Sequence, residues 1–517
     1  MGIKVKAVSW GVVSLWSLAS LAAAGSDSRL VEAVKNKDGE AVRSLLQQHV
    51  DVNARHADGS TALAWAAHWN DLEMADLLIS AGADVNAQNE YGVPPLWLAC
   101  NNGSAAMVEK LVKAGANPNA TLLETGETAL MTCARSIGNP DAVKSLLAHG
   151  ADVNVKEKQK GQTALMWALE RRHQDVARVL IEHGADIHAK SKGGFTPLLF
   201  AARQGDLDSA RLLLERGADV NDKAPVQRVY GKAREQERGS VGNEVVPGGL
   251  GSLLVAADSG HEALALFLVG KGADVNAADP DGFTALHYTI RKGYTILTMG
   301  QRRNASSAVY RFRPNMSELV KVLLEHGANP NARIERGPEA VGSRGQFALA
   351  GATPFMLAAA AGDVGLMKTL LAKGADPKMG TFDHTTPLMA AAGVGRKATR
   401  TKDEEAQTLE AVKLMLELGA DVNEANDEGR TALHSAAFSW ADEIIQFLVA
   451  KGARLDLEDM SGQTPLSIAE GDPNDFVDAS EKSARGSPAS STAKLIRKLG
   501  GDPLAQGLYL TSEKASQ

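Results

Sequence analysis

An all-α solenoid, in which helix–turn–helix units are stacked through inter-repeat β-turn or hairpin loops and broken by several insertions, is the fold class predicted by this 517-residue sequence. Three observations predict it. Thr-Ala-Leu, Thr-Pro-Leu or a close variant recurs with its threonine at Thr61, Thr128, Thr163, Thr196, Thr284, Thr353, Thr386, Thr431 and Thr464. Each copy is trailed by Gly-Ala-Asp-Val-Asn or a near variant. Several successive intervals (Thr163 to Thr196, Thr353 to Thr386, Thr431 to Thr464) are 33 residues, a period that belongs to stacked repeats. Pro94 and Ser252 fill the threonine slot in two degenerate copies.

The unit from Gly194 to Asn221 shows how each mark works. Thr196 is placed to cap a helix, its hydroxyl accepting from a free amide of the first turn, and Pro197 sits where a missing N–H costs nothing. Leu198, Ala201 and Ala202 make a slim inner helix. Gly205 ends it in the left-handed region, and Leu207, Ala210, Leu213 and Leu214 mark the buried face of a second helix that Gly217 stops. The residue before that last glycine is often cationic or a histidine (His149, His183, Arg216, His326), suited to the negative end of the helix dipole and read as structural. Asp219 and Asn221, with side chains that bond to nearby backbone, suit the turn into the next repeat. Such a unit has no hydrophobic centre of its own, so only stacking stabilises it.

These T-A/P-L starts and G-A-D-V-N ends resemble those of the ankyrin-repeat family, over almost the whole chain after the first thirty or so residues. About eleven copies are expected. A half-unit within 25–53 lacks the Thr-Pro-Leu start and is read as the N-terminal cap, followed by repeats over 54–222 and 252–503 and a tail over 504–517. The family's tetrapeptide histidine survives only at His287 and His434, while Met131, Met166, Met356 and Met389 replace it elsewhere, weakening a ladder of hydrogen bonds between repeats.

Longer intervals locate insertions, since Thr196 to Ser252 is 56 residues, Thr284 to Thr353 is 69 and Thr386 to Thr431 is 45. The segments 223–251 and 333–350 leave from turns between repeats, whereas 294–314 and 394–407 interrupt the turn between two helices of one repeat. A further irregular stretch spans 471–491. Within 294–314, Tyr310, Arg311, Phe312 and Arg313 alternate aromatic with cation, which in an extended segment separates rings from guanidiniums and would suit an acidic partner. The bland alternative is a solvated loop whose arginines pair with nearby acidic repeats.

A globular chain of this length would divide into several domains, but a solenoid grows in one dimension, so one continuous domain is expected. A net charge of −7 argues against a general nucleic-acid binder, and aromatic residues at 5% argue against a large aromatic-lined pocket. The first residues are basic, Ala7 to Leu21 is largely apolar and Ala22-Ala23-Ala24-Gly25 offers a cleavage site, so residues 1–24 read as a secretory signal peptide, with a retained anchor as the alternative. An exported chain, periplasmic or secreted and bacterial in style, follows as the expectation, with no membrane span after cleavage. Cys100 and Cys133 fall at small-residue positions of adjacent inner helices and are expected to be buried free thiols; export would permit a disulfide, but neighbouring inner helices usually hold such positions too far apart.

No H-E-x-x-H, phosphate loop or G-x-S-x-G elbow appears, so the chain is read as no enzyme, with no catalytic residues, no metal site and no cofactor. The resemblance implies partner binding through the turn tips and the exposed ends of the inner helices. Carried over by position, this points to His68, Trp69, Tyr91, Arg135, Arg171, Arg203, Arg291 and Lys292, to which the insertion adds Tyr310, Arg311, Phe312 and Arg313. Phe195 and Phe283 occupy the same class of position, but partial packing under a neighbouring turn accounts for them better. The expected function is a monomeric, non-enzymatic scaffold for a protein partner. The alternatives are small-molecule or polymer binding in support of envelope chemistry, and a structural spacer.

Overall fold

The structure is a computed structural model that describes residues 28–225, 249–290, 315–336, 349–393, 402–470 and 488–501. The described residues contain 24 α-helices, and isolated bridges are their only β pairing. In chain order these are α1 (Arg29–Lys35), α2 (Gly39–Gln47), α3 (Ala62–Trp69), α4 (Leu72–Ser80), α5 (Pro95–Asn101), α6 (Ala105–Lys113), α7 (Ala129–Arg135), α8 (Pro140–Ala148), α9 (Ala164–Glu170), α10 (Gln174–Glu182), α11 (Pro197–Gln204), α12 (Leu207–Glu215) and α13 (Ser252–Ser259). They continue as α14 (Glu262–Gly270), α15 (Ala285–Thr289), α16 (Ser317–Glu325), α17 (Pro354–Ala361), α18 (Val364–Ala372), α19 (Pro387–Ala392), α20 (Lys402–Glu417), α21 (Ala432–Phe438), α22 (Asp442–Ala450), α23 (Pro465–Glu470) and α24 (Pro488–Ile496). The chain groups into two compact units, Met1–Ser259 and Gly260–Gln517.

Threonine caps start the inner helices. Thr61, Thr128, Thr163, Thr353 and Thr386 accept from the amide three residues on, at 3.2–3.4 Å. Thr196 departs from the expectation, since its hydroxyl is buried without a cap bond. These bonds are long, so a slight rotation is enough to lose one. Asp38, Asp71, Ser104 and Asp363 cap the second helices in the same way. Gly205 and Gly217 are left-handed as expected, at φ 69° and 98°.

The helix-end histidines do more than meet a dipole. The Nδ1 atoms of His149, His183 and His326 donate to the carbonyl four residues earlier, at 2.7–2.8 Å. In the trailing turn, aspartate and asparagine divide the work. Asp84 accepts locally from the Asn86 amide at 2.9 Å, while Asn86 reaches the following repeat, donating to the Gly115 carbonyl at 3.1 Å and accepting from the Asn117 amide at 2.7 Å. Asn119 and Asn154 repeat this clamp in the first unit, and Asn276, Asn331 and Asn423 repeat it in the second.

The expectation of free thiols is wrong. Cys100 and Cys133 form a disulfide with Cα atoms 4.5 Å apart, so inner helices α5 and α7 approach far more closely than supposed. Small neighbours such as Ala99 and Ala134, both fully buried, make that approach possible. The cysteines are also offset, Cys100 being the second and Cys133 the first residue of its small-residue pair.

Two insertions share one kind of root. Ala224 and Leu250 pair by backbone beside the bridge Lys223–Gly251, and Ile334 pairs with Gly351 and Ala352. Within 394–407, residues from Lys402 are helical and run on into the second helix, giving α20 16 residues where its counterparts have nine. Asp403, Glu404 and Glu405 in its first turn favour that start.

His287 and His434 close capping boxes, each Nδ1 accepting from the backbone amide of its threonine at 3.1 Å. Burial pushes the His287 imidazole down to about 4, and burial likewise lowers His434. Between pH 6.5 and about 4 the unfolded chain therefore binds a proton at this site that the folded chain does not, so acidification destabilises the fold. His287→Met, the residue that other repeats place in this slot, is expected to remove a loss on the order of 3 kcal/mol over that range, read from urea melts at pH 7 and pH 4.5. An unchanged pH dependence would refute it.

Candidate functional site

Positions four, seven and eight after the threonine share one face of an inner helix, because residues three and four apart are neighbours. In α3 these are Trp65, His68 and Trp69. Their rings cluster, with centroids 5.5 Å apart for Trp65–His68, 6.1 Å for Trp65–Trp69 and 4.8 Å for His68–Trp69. Two lysines from the capping pair reach over them, Lys35 Nζ 5.3 Å from the Trp65 ring centre and Lys37 Nζ 4.6 Å from that of Trp69. Trp69 remains 42% exposed. Half-burial lowers the His68 pKa below its ordinary value, keeping the ring neutral at pH 7. A shallow recess beside this cluster is lined by Lys37, Trp69, Asn70, Asp71, Leu72 and Glu73.

Further along the first unit, the predicted arginines are held more tightly than free recognition arms. Arg135 pairs with Glu127 at 3.1 Å and lies 4.9 Å over the Trp167 ring of the next repeat. Arg203 meets Glu170 of the preceding repeat at 3.4 Å and covers Phe200 at 5.1 Å. Glutamates thus offset part of the positive charge along this ridge. Arg171 is exposed at the end of α9. Phe195 and Phe283 are buried, 7% and 6% exposed, as packing under a turn requires. Tyr91 is 67% exposed on a turn between repeats, away from the inner-helix register.

The structure therefore brings together His68 and Trp69, and places Arg135 and Arg203 on the corresponding face of later repeats. Arg291, Lys292, Tyr310, Arg311, Phe312 and Arg313 lie outside the described residues. Sequence reasoning missed Lys35, Lys37, Trp65, Trp167 and Phe200. A signal was available, because Trp65, Trp167 and Phe200 all stand four residues after a repeat threonine.

The arrangement offers ring faces, cations and hydrogen-bonding groups at its surface. Among the described residues, no group of three or more His, Cys, Asp or Glu side chains is gathered to hold a metal ion, and no helix is long and apolar enough to cross a membrane.

Comparison with known proteins matches the repeats to established families. Models described as ankyrin repeats match residues 30–122, 82–157, 130–224 and 404–478, with further ankyrin models over 253–297, 281–335 and 350–381. Among similar proteins, ankyrin repeat and SOCS box protein 16 of Homo sapiens is 36% identical over 228 residues, 42% of this chain and 46% of that protein. The B-cell lymphoma 3 protein homolog of Mus musculus is 30% identical over 143 residues, 28% of this chain and 24% of that protein. The E3 ubiquitin-protein ligase KEG of Arabidopsis thaliana is 30% identical over 166 residues, 31% of this chain and 9% of that protein. The matches span less than half the length of these relatives.

Proposed function

This chain belongs to the ankyrin-repeat family, and on that premise we propose that it is a non-enzymatic scaffold that recognises a protein partner outside the cytoplasm. Repeats of this family generally serve as protein-interaction modules. The observation that carries the reading is the cluster of Lys35, Lys37, Trp65, His68 and Trp69, which leaves Trp69 exposed on a rigid helix end. Rings and cations of this kind dominate interface energetics, and a stacked scaffold loses little ordering entropy when it binds. The inner-helix ridge ending in Arg171 and Arg203 extends the same surface, and the basic sequence from Tyr310 to Arg313, which lies outside the described residues, is proposed as a separate contact.

Export is proposed with the function. Its support is the pairing of both cysteines in the chain, since such bonds persist in oxidising compartments and are rare in a reducing cytosol. The basic and apolar opening read as a signal peptide agrees with that compartment.

The test is affinity capture from the exported fraction with the full chain, beside Trp69→Ala and Arg311→Ala/Arg313→Ala variants, followed by titration of the captured partner. Trp69→Ala is expected to weaken binding at least about tenfold. Equal affinity for all three chains would remove the assigned surface, and the absence of any partner would favour a spacer.

A further inference from the structure

The turn tips of the first unit carry a strip that the inner-helix ridge does not include. Lys156, Lys158, Lys160, Lys190, Lys192 and Lys223 are all exposed and occupy successive turns between repeats. Adjacent tips are joined through backbone, the Lys158 amide donating to the Thr125 carbonyl at 2.7 Å and the Lys192 amide to the Lys160 carbonyl at 2.8 Å. Several ammonium groups are fixed by carbonyl oxygens. Lys156 Nζ donates to the Lys190 carbonyl at 2.9 Å, Lys158 Nζ to that of Leu123 at 3.2 Å, and Lys192 Nζ to that of Lys158. At Lys156 and Lys158 the carbonyl holds the ammonium in place without cancelling its charge, as a carboxylate would. Lys190 differs, since it pairs with Asp222 at 3.3 Å.

The acidic residue interleaved with these lysines is turned away. Glu157 is 4% exposed, and its carboxylate accepts from the backbone amides of Gln159, Lys160 and Gln162. The run Lys156-Glu157-Lys158-Gln159-Lys160 thus presents its cations and hides its anion. At the other end the strip becomes apolar. Leu123 is 60% exposed, and Gly92, beside Tyr91, lies so close to Leu123 that an added Cβ would come within 2.6 Å of its side chain. The positive φ of 75° at Gly92 allows this approach.

We propose that this strip docks an acidic polypeptide segment, whose carboxylates meet Lys156, Lys158 and Lys160 and whose apolar residue rests on Tyr91 and Leu123. This deepens the recognition reading and rests on it. Two observations favour a polypeptide over a nucleic acid or an anionic membrane. Exposed Glu90 and Glu124 flank the apolar end, where they repel a continuous polyanion but tolerate the neutral residues of a peptide. The chain as a whole carries a charge of −7.

The test titrates the full chain with a fluorescent peptide of about a dozen residues, glutamate-rich with a Leu-Phe pair at one end. A single-stranded oligonucleotide and phosphatidylglycerol vesicles serve as competing probes. Lys156→Gln/Lys158→Gln/Lys160→Gln is expected to weaken peptide binding at least about tenfold and to flatten its salt dependence. The independent variant Tyr91→Ser/Leu123→Ser should weaken it several-fold with the salt dependence kept. No binding by the unmodified chain, equal binding by the lysine variant, or tighter binding of the oligonucleotide or vesicles overturns the proposal. Trp69→Ala should leave peptide binding intact, so a failure of the strip and a failure of the inner-helix surface are told apart.

Discussion

Replacing Cys100 and Cys133 together with alanine is expected to destabilise the N-terminal repeats by about 3–4 kcal/mol, the loop-closure entropy released when a 33-residue loop is no longer held shut in the unfolded chain. Alanine is the fitting replacement because it occupies the corresponding small-residue positions at Ala66, Ala67, Ala201 and Ala202, all fully buried, so no new volume or polarity enters the core. Tryptophan fluorescence reads the effect locally, since Trp65, Trp69, Trp97 and Trp167 all lie in this unit. An unchanged denaturation midpoint would show that the bridge does not stabilise these repeats. Added dithiol should act slowly on the folded chain, because both cysteines are at most 2% exposed. The consequence reaches the candidate surface. Asn102, two residues after Cys100, donates to the Ala67 and His68 carbonyls at 3.1 Å and 2.6 Å, tying the bridged repeat to the end of the helix that carries Trp69.

Phe355→Ala should cost the second unit about 3–5 kcal/mol, the range for truncating a fully buried phenylalanine. Phe355 is 0% exposed and stands two residues after Thr353, where other repeats carry leucine, as at Leu63, Leu165, Leu388 and Leu433. Phe355→Leu restores the common residue and leaves a smaller void, so its cost should be about 1 kcal/mol. Because a repeat contacts only its neighbours, the loss should be local. Hydrogen exchange should accelerate most in α17, α18 and the adjoining α19, with the first unit unaffected. Uniform acceleration across both units, or equal costs for the two substitutions, would contradict this account.

The candidate site was legible in part. Trp69 and His68 could be assigned because a repeat fixes which positions end the inner helix. Arg135 and Arg203 could be assigned to the inner-helix face, yet their hold on Glu127 and Glu170 depends on side-chain directions within and between repeats that no spacing reveals. The lysines over Trp65 and Trp69 come from the capping half-unit, which lacks the repeat's own landmarks. The lysine strip escaped because the sequence shows Glu157 among the lysines as if it neutralised them, whereas the fold buries it.

The amino-acid sequence by itself determined the period, from the spacing of the repeat threonines, and the start and stop of most helices, because those rest on a signal within a few residues: a capping threonine, an N1 proline, a left-handed glycine. Only the tertiary structure decided that Cys100 and Cys133 are bonded, that asparagines such as Asn86 clamp the following repeat, and which charges stay exposed. Those outcomes depend on how closely neighbouring repeats approach and which way their side chains turn. That distance is set by packing between residues about thirty positions apart, where local propensity carries no information.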